Sequence, residues 1–200
     1  MSELKKVGRQ EFENLIKFSM APLQLRRVML AYKISKYGHK GQSRESGERY
    51  FEHPKAVALI LIQELKLLDP DAIIVALLHD LAEDSFLLDW MDLEMIFGGQ
   101  IVCQVRALTK EPGKDYLKYL LLSETSVLMV KLADRLHNLR TLGDCRPEKR
   151  AKQIKETREK YVRVIEELEK RLSDEGLGWR AAYLRDQILK NCDEIEKSLV

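Results

Sequence analysis

Cysteines are scarce in this chain, and the three that are present, Cys103, Cys145 and Cys192, lie far apart. No CxxC pair occurs, which argues against a disulfide framework or a cysteine zinc site. Long apolar runs are also missing, since none approaches the length that spans a membrane. Residues 1–10 are polar and charged, unlike the apolar segment of a signal peptide. A cytoplasmic location without a membrane partner is therefore expected.

An excess of charge of one sign is missing as well. The chain has 34 basic and 32 acidic residues, and its formal net charge is +2. Because no strong whole-chain field favours nucleic acid, none is expected as a partner. The 200 residues, 45% of them apolar, suffice for one globular domain with a sizeable core.

Alternating β-branched segments with hairpin turns are absent, and helical patterns dominate the chain. One or two helices are predicted over residues 11–38, the second starting at Pro22, followed by a loop over residues 39–52. Pro54 would open the next helix at its first position, which makes His53 the cap residue.

The middle of the chain predicts a series of shorter helices. Asp69 is a good N-cap for a helix that runs to about Asp84. Further helices are predicted over residues 89–97, 100–109, 115–122 and 126–142.

Two long amphipathic helices are predicted in the last quarter, over residues 147–172 and 177–199. Their apolar stripes indicate packing on the domain or on a partner, so an oligomer formed through these helices stays an open alternative. The predicted fold class is all-α, with one domain over 1–200, a core of about 22–172 and a C-terminal extension of about 173–200.

The most informative pattern is a group of polar residues that directly follows seven apolar ones, residues 72–78. These polar residues are His79, Asp80, Glu83 and Asp84. Burying them would be costly unless a cation compensates the carboxylates. On a continuous helix, residues four apart share a face, as His79 and Glu83 would, and also Asp80 and Asp84. The four side chains would then point into one cleft in two layers.

Two other positions complete a set of metal ligands. His53 lies at a predicted helix start, and Asp134 follows another apolar run and shares a face with Asn138. His53, His79, Asp80 and Asp134 together offer two nitrogens and two oxygens. Imidazole with carboxylate suits Mn²⁺, Fe²⁺, Co²⁺ or Zn²⁺, and the carboxylate-rich loop of a calcium site is absent.

The order H…HD…D resembles the signature of the HD superfamily of metal-dependent phosphohydrolases. Three longer segments are similar to motifs of the RelA/SpoT-type hydrolase domain. They are residues 41–54 (GQSRESGERYFEHP), 76–84 (ALLHDLAED) and 131–142 (KLADRLHNLRTL). The resemblance extends over roughly residues 25–165.

The resemblance implies an HD-domain helical bundle that hydrolyses the alarmone (p)ppGpp. Such enzymes remove the 3′-diphosphate, leave GDP or GTP and pyrophosphate, and usually bind Mn²⁺. Carried over by position, the implied metal ligands are His53, His79, Asp80 and Asp134. The implied catalytic carboxylates are Glu83 and Asp84. The implied contacts of the nucleotide substrate, ppGpp or pppGpp, are Arg44, Ser46, Asn138, Lys131 and Tyr161.

Elementary chemistry agrees with these roles. A bound metal ion lowers the pKa of a water molecule and offsets charge on the attacked phosphorus. Glu83 or Asp84 would position that water and move its proton, and Arg44 can clamp phosphate oxygens with two hydrogen bonds. Glu45 departs from the family pattern, which commonly has a basic residue there, and it replaces a phosphate contact with a like charge.

Three alternatives stay open at this point. A phosphohydrolase with the same ligands could act on another nucleotide, such as the phosphate of NADPH. A second alternative is a protein of another functional class, a nucleotide sensor without catalytic activity. The chain resembles a small stand-alone alarmone hydrolase or a fragment of a longer protein, and its helical C-terminus favours the first. His137 is interpreted as a structural histidine or as a partner of a ligand, not as a fifth ligand.

Overall fold

The computed structural model of this chain describes residues 7–81, 89–110, 113, 115–143, 145–173 and 176–199. The helices are α1 (Arg9–Ile16), α2 (Pro22–Gly38), α3 (Glu52–Leu59), α4 (Pro70–Leu78), α5 (Trp90–Phe97), α6 (Gly99–Leu108), α7 (Tyr116–Leu121), α8 (Thr125–Arg140), α9 (Pro147–Glu156), α10 (Val162–Leu172) and α11 (Gly178–Lys197). These described residues contain no β-strand, and an isolated antiparallel bridge between Ser43 and Arg49 closes the loop before α3. The all-α prediction is confirmed.

Two central helices, α4 and α8, organise the core. In α4 every residue from Ala72 to Leu78 is buried, and the helix packs against α2, α3, α6 and α8. Its start follows the prediction, because the Asp69 carboxylate accepts a hydrogen bond of 2.7 Å from the Ala72 amide. The side chains that follow α4 therefore emerge from the middle of the molecule.

The end of α4 differs from the prediction. The helix ends at Leu78 instead of continuing to about Asp84, and residues 79–80 form a turn. Residues 82–88 lie outside the described part of the chain. The predicted continuous helix to Asp84, on which residues four apart would share a face, is therefore interrupted at residues 79–80.

The start of α3 is also earlier than predicted. The helix begins at Glu52 with Phe51 as its N-cap, so His53 is its second residue and not its cap. Proline fits at the third position as well as the first, because amides of the first helical turn have no acceptor within the helix. His53 is consequently fixed within the first turn, and its side chain is buried.

Two helices continue into π-helical turns that the sequence analysis did not predict. α3 runs on into Ile60–Glu64, where the amide of Leu65 bonds the carbonyl of Ile60. α9 is joined to α10 through Thr157–Tyr161, where the amide of Val162 bonds the carbonyl of Thr157. Each such bond spans five residues and adds one residue to the turn.

The apolar stripes of the last helices face the domain itself. α10 and α11 pack on each other and on α8, and both bury the apolar residues that predicted amphipathic helices. Arg140 on α8 holds the Glu64 carboxylate with bonds of 2.7 and 2.9 Å, and Tyr183 on α11 donates to the same carboxylate. Packing on the domain is confirmed for these stripes, whereas an oligomer stays untested.

Among the helices of the described residues, none is both long and apolar enough to cross a bilayer.

Candidate metal centre

Four polar side chains from three helical elements converge in the core. Nε2 of His53 lies 3.3 Å from Oδ2 of Asp80 and 3.2 Å from Oδ1 of Asp134. Nε2 of His79 lies 3.2 Å from Oδ1 of Asp80 and 3.8 Å from Oδ1 of Asp134. The structure thus brings together all four side chains that the sequence predicted as metal ligands.

The orientation of His79 fits a metal ligand. Its Nδ1 donates a hydrogen bond of 2.8 Å to the carbonyl of Ala76, one of the last carbonyls of α4 that lack an amide partner. This bond directs Nε2 at the two carboxylates, and Nε2 is buried and has no hydrogen-bond partner among the described residues. A divalent cation is the partner that satisfies such a nitrogen.

Two further observations agree with a cation at this place. Ligand atoms of His53, His79 and Asp80 all lie within 4.8 Å of one another, as a shared ion requires. The centre also lies beyond the C-terminal end of α4, where the helix dipole favours positive charge.

The electrostatics of the cluster keep both carboxylates ionised. Burial raises the pKa of Asp134, but Lys131 and the two neighbouring histidines outweigh it and hold that pKa well below its usual range. Burial acts in the same way on Asp80, and the nearby His79 and His53 lower its pKa further than burial raises it. Burial lowers the pKa of His79, yet Asp80 and Asp134 raise it to about 9. The cluster therefore attracts positive charge.

A second layer of side chains orients the carboxylates. Lys131 donates to Oδ2 of Asp134 at 2.9 Å, and Asn138 donates to Oδ1 of the same residue at 2.6 Å. Tyr50 donates to Oδ2 of Asp80 at 3.1 Å. Each carboxylate is thus held by at least one neutral or cationic donor besides the histidines.

His137 lies on the other side of His53 from the carboxylates. Its Nδ1 is 2.8 Å from Nδ1 of His53 and 3.2 Å from Nη1 of Arg44. Burial, followed by the charges of His53 and Arg44, holds the pKa of His137 well below its usual range. The contact agrees with a histidine that supports a ligand.

A sequence profile of the HD domain family matches residues 31–165, which include all four converging side chains. This chain belongs to the HD domain family. The match extends from the middle of α2 into α10, so among the described helices α1, the start of α2, the end of α10 and α11 lie outside it. HD domains imply a divalent metal ion, in agreement with the buried His79 nitrogen of this one.

Curated relatives of this HD domain are longer proteins. The bifunctional (p)ppGpp synthase/hydrolase SpoT of Escherichia coli strain K12 is 34% identical over 190 residues, which cover 87% of this chain and 27% of SpoT. A guanosine-3′,5′-bis(diphosphate) 3′-pyrophosphohydrolase of Haemophilus influenzae is 35% identical over 184 residues, 82% of this chain and 26% of its own. The GTP pyrophosphokinase rsh of Brucella melitensis is 40% identical over 145 residues, 66% of this chain and 19% of its own. This chain therefore spans about a quarter, or less, of the length of the curated relatives it matches.

A solved structure shares the fold. It is described as a metazoan ortholog of SpoT that hydrolyzes ppGpp, and it matches with a TM-score of 0.60 and 22% identity. The match covers 87% of this chain and 97% of that one. At this identity the likeness shows the fold, an all-α HD domain.

The predicted substrate residues of the HD domain divide between two adjoining cavities. Arg44, Asn138, Lys131 and Tyr161 line a cavity of about 220 Å³ that also contains His53, Asp80 and Asp134, here called the metal cavity. Ser46 lines a smaller cavity of about 150 Å³, here called the rim cavity, which shares Arg44, Asn138 and Gln153 with the first. Ser46 is exposed and not part of the metal cavity.

Two of these residues, Arg44 and Asn138, are hydrogen-bonded to each other. Arg44 donates from Nη2 to Oδ1 of Asn138 at 2.6 Å, while the amide of Asn138 donates to Asp134. Lys131 is buried against Asp134, so its first role is to hold a carboxylate of the centre. The Tyr161 ring lies under the Arg135 guanidinium, 3.8 Å from it.

Sequence reasoning missed several charged residues of the metal cavity. Arg135 donates to Glu156 at 3.0 Å and to Gln153, and Lys110 also contacts Glu156 at 3.4 Å. Arg135 directly follows Asp134 in the third motif, which could have indicated it. Lys110 and Glu156 lie on separate elements, so only the fold brings them together.

Glu45 has a partner that the sequence did not predict. Its carboxylate lies 2.9 Å from Nζ of Lys149, at the start of α9, and both residues line the rim cavity. Hydrogen bonds from Lys149 and Cys145 lower the pKa of Glu45. The negative charge at position 45, in the loop before α3, is therefore accompanied by a positive charge from α9.

The predicted catalytic carboxylates Glu83 and Asp84 lie outside the described residues. Leu81 is the last described residue before them, three positions after α4 ends. Their role stays a prediction.

Proposed function

We propose that this HD domain is a divalent-metal-dependent hydrolase that removes the 3′-diphosphate of (p)ppGpp, giving GDP or GTP and pyrophosphate. The observation that carries the metal dependence is the buried Nε2 of His79, which faces two ionised carboxylates and has no hydrogen-bond partner in the part of the chain that the structure describes. The names of the relatives support the substrate, because two of them state (p)ppGpp hydrolysis.

The proposed ligands are His53, His79, Asp80 and Asp134, and the proposed ion is Mn²⁺. A mixed set of imidazole and carboxylate suits this ion. When bound, it supplies a water molecule of lowered pKa and neutralises charge on a phosphate. Lys131 and Asn138 hold Asp134 in place for this role, and Tyr50 holds Asp80.

The charges of the metal cavity favour an anionic substrate. Its basic residues are Arg44, Lys110, Lys131 and Arg135. Its acidic residues are Asp80, Asp134 and Glu156. A divalent cation adds to this positive balance, so a diphosphate is the group that the cavity attracts. Arg44 lies between the metal cavity and the rim cavity, where its two-pronged guanidinium can hold phosphate oxygens.

Glu83 and Asp84 are proposed as the carboxylates that position the attacking water and accept its proton. General acid–base catalysis of this kind contributes about 10²–10⁴-fold in rate. The isosteric variants Glu83→Gln and Asp84→Asn should therefore lower kcat by a factor in that range. Mn²⁺ binding to these variants, measured by calorimetry without substrate, should stay as in the wild type.

The deciding experiment incubates the metal-free chain with ppGpp, with and without added Mn²⁺, and measures pyrophosphate and GDP. Pyrophosphate release that needs Mn²⁺ supports the proposal. Parallel reactions contain NADPH, or ATP with GTP, since some relatives are named GTP pyrophosphokinases.

Phosphate release from NADPH with ppGpp left intact would replace the proposed substrate. Tight ppGpp binding without turnover at any divalent metal would instead favour a nucleotide sensor. A cytoplasmic location and an oligomer through the last two helices stay predictions.

A further inference from the structure

His137 occupies the centre of a hydrogen-bond chain that runs from Arg44 to His53. A single ring nitrogen, Nδ1 of His137, is 3.2 Å from Nη1 of Arg44 and 2.8 Å from Nδ1 of His53. The residue is only 5% exposed. Both contacts are therefore made inside the protein, where a missing partner is expensive.

Donor chemistry fixes the direction of each bond. A guanidinium carries donors and no acceptor, so Nδ1 of His137 accepts and its proton lies on Nε2. Nδ1 of His53 points at the same acceptor, so it must carry a proton to make its bond. That proton leaves the lone pair of His53 on Nε2, the nitrogen that lies 3.2 Å from Asp134 and 3.3 Å from Asp80.

We propose that His137 is a positioning residue that fixes the tautomer and ring orientation of His53, with Arg44 as the anchor of the chain. The inference rests on the proposed function, since His53 is a metal ligand only there. His79 achieves the same result through the carbonyl of Ala76, so the two histidines of the centre are oriented by different kinds of acceptor.

Arg44 is thereby connected to two of the four proposed ligands. One arm of its guanidinium reaches His53 through His137, and the other reaches Asp134 through Asn138. The residue that would clamp the diphosphate is therefore held by the same side chains that orient the ligands. His137 affects the centre through its neighbours and not by contact with the substrate.

Two polar variants of His137 separate this role from general packing. The oxygen of an asparagine takes about the place of Nδ1, whereas the oxygen of a glutamine takes about the place of Nε2. H137N should keep an acceptor beside His53, and H137Q should lose it. Loss of an outer partner of a ligand typically costs 10–100-fold in metal affinity.

The experiment measures the dissociation constant of Mn²⁺ for the full chain by calorimetry, with no nucleotide present. We expect H137Q to weaken binding by about 10–100-fold and H137N to stay within about threefold. The matched control is Gln104→Leu, which removes another buried polar side chain, one bonded to Glu124. Equal affinity of H137Q and the wild type would overturn the proposal.

A measurement on the wild type keeps the proposal testable if H137Q does not fold. Long-range ¹H–¹⁵N spectra of histidine-labelled, metal-free protein report which ring nitrogen carries the proton. We expect a proton on Nε2 of His137, and a proton on Nδ1 would overturn the inference. A wild type that binds no Mn²⁺ would contradict the proposed function, while the spectrum would still show whether His137 has the tautomer that the inference requires.

Discussion

The inner metal cavity and the outer rim cavity share Arg44 and Asn138, yet they hold their charges in different ways. Inside, Asp134 is bonded by Lys131 and Asn138 and lies beside two buried histidines. At the rim, Glu45 and Lys149 are 60% and 42% exposed and have water as an alternative partner. Burial makes each inner contact costly to lose, whereas an exposed ion pair contributes about 0–1 kcal/mol.

The difference indicates which task each cavity can perform. A ligand set must keep its geometry whether or not substrate is present, and this demands buried and fully partnered side chains. A substrate contact must exchange partners at little cost, and exposed side chains do so. The comparison predicts effects that decrease from the inside to the outside.

The largest effect is expected for Asp80→Asn, which keeps the shape of the side chain and removes its charge. Pyrophosphate release should fall by about 10³-fold or more, because several kcal/mol of charge stabilisation depend on the bound ion. Steady-state kinetics over a Mn²⁺ titration measure it. Asp186→Asn, on the exposed side of α11, is the control, and retention of a tenth of the activity in Asp80→Asn would contradict the ligand role.

A smaller loss, in stability, is expected for Lys131→Met. The variant leaves Asp134 without its cationic partner, and breaking a buried pair costs about 3–5 kcal/mol. Since both histidines remain near Asp134, we expect the free energy of unfolding of the metal-free protein to fall by about 3 kcal/mol in urea titrations. The control Lys190→Met breaks the exposed Lys190–Glu194 pair of α11. It should change the free energy of unfolding by less than about 0.5 kcal/mol. Equal effects of the two variants would show that the buried ion pair contributes no more to stability than the exposed one.

Arg44→Lys tests the boundary between the cavities. A lysine cannot donate to His137, Asn138 and a phosphate with one planar fork, so KM for ppGpp should rise by about tenfold, the equivalent of one charge-assisted hydrogen bond. We expect kcat to change less than KM in initial-rate measurements. Arg49→Lys, an exposed change in the same loop, should leave both constants unchanged. An effect confined to kcat would move Arg44 from substrate binding to the centre itself.

The smallest effect is expected for Glu45→Lys at the rim. Removing the negative charge beside Arg44 should lower KM for ppGpp by about threefold at low salt, and the gain should vanish at high salt. Kinetics at two ionic strengths measure it, with Glu194→Lys on α11 as a distant control. A rise in KM would show that Glu45 contributes to substrate binding through its pair with Lys149.

That His53, His79, Asp80 and Asp134 meet in the core could be predicted from the sequence, because the order of the motifs constrains it. The extent of α4 could not, since an apolar run does not reveal where a helix ends. At the observed end, Leu78, the ring of His79 bonds the carbonyl of Ala76, a contact that hydropathy does not reveal. The contacts of Lys110 and Lys149 were equally hidden, because their partners Glu156 and Glu45 are distant in sequence and approach them only in the folded chain.

The π-helical turn Thr157–Tyr161 determines how the faces of α9 and α10 are aligned with each other. Before the turn, Lys149, Gln153 and Glu156 face the cavities, and after it Val164, Ile165 and Leu168 enter the core. Deleting one residue there would rotate everything that follows by about 100° about the helix axis. The inserted residue thus shifts the helical register, so that α9 presents its side chains to the cavities and α10 presents its apolar side chains to the protein interior.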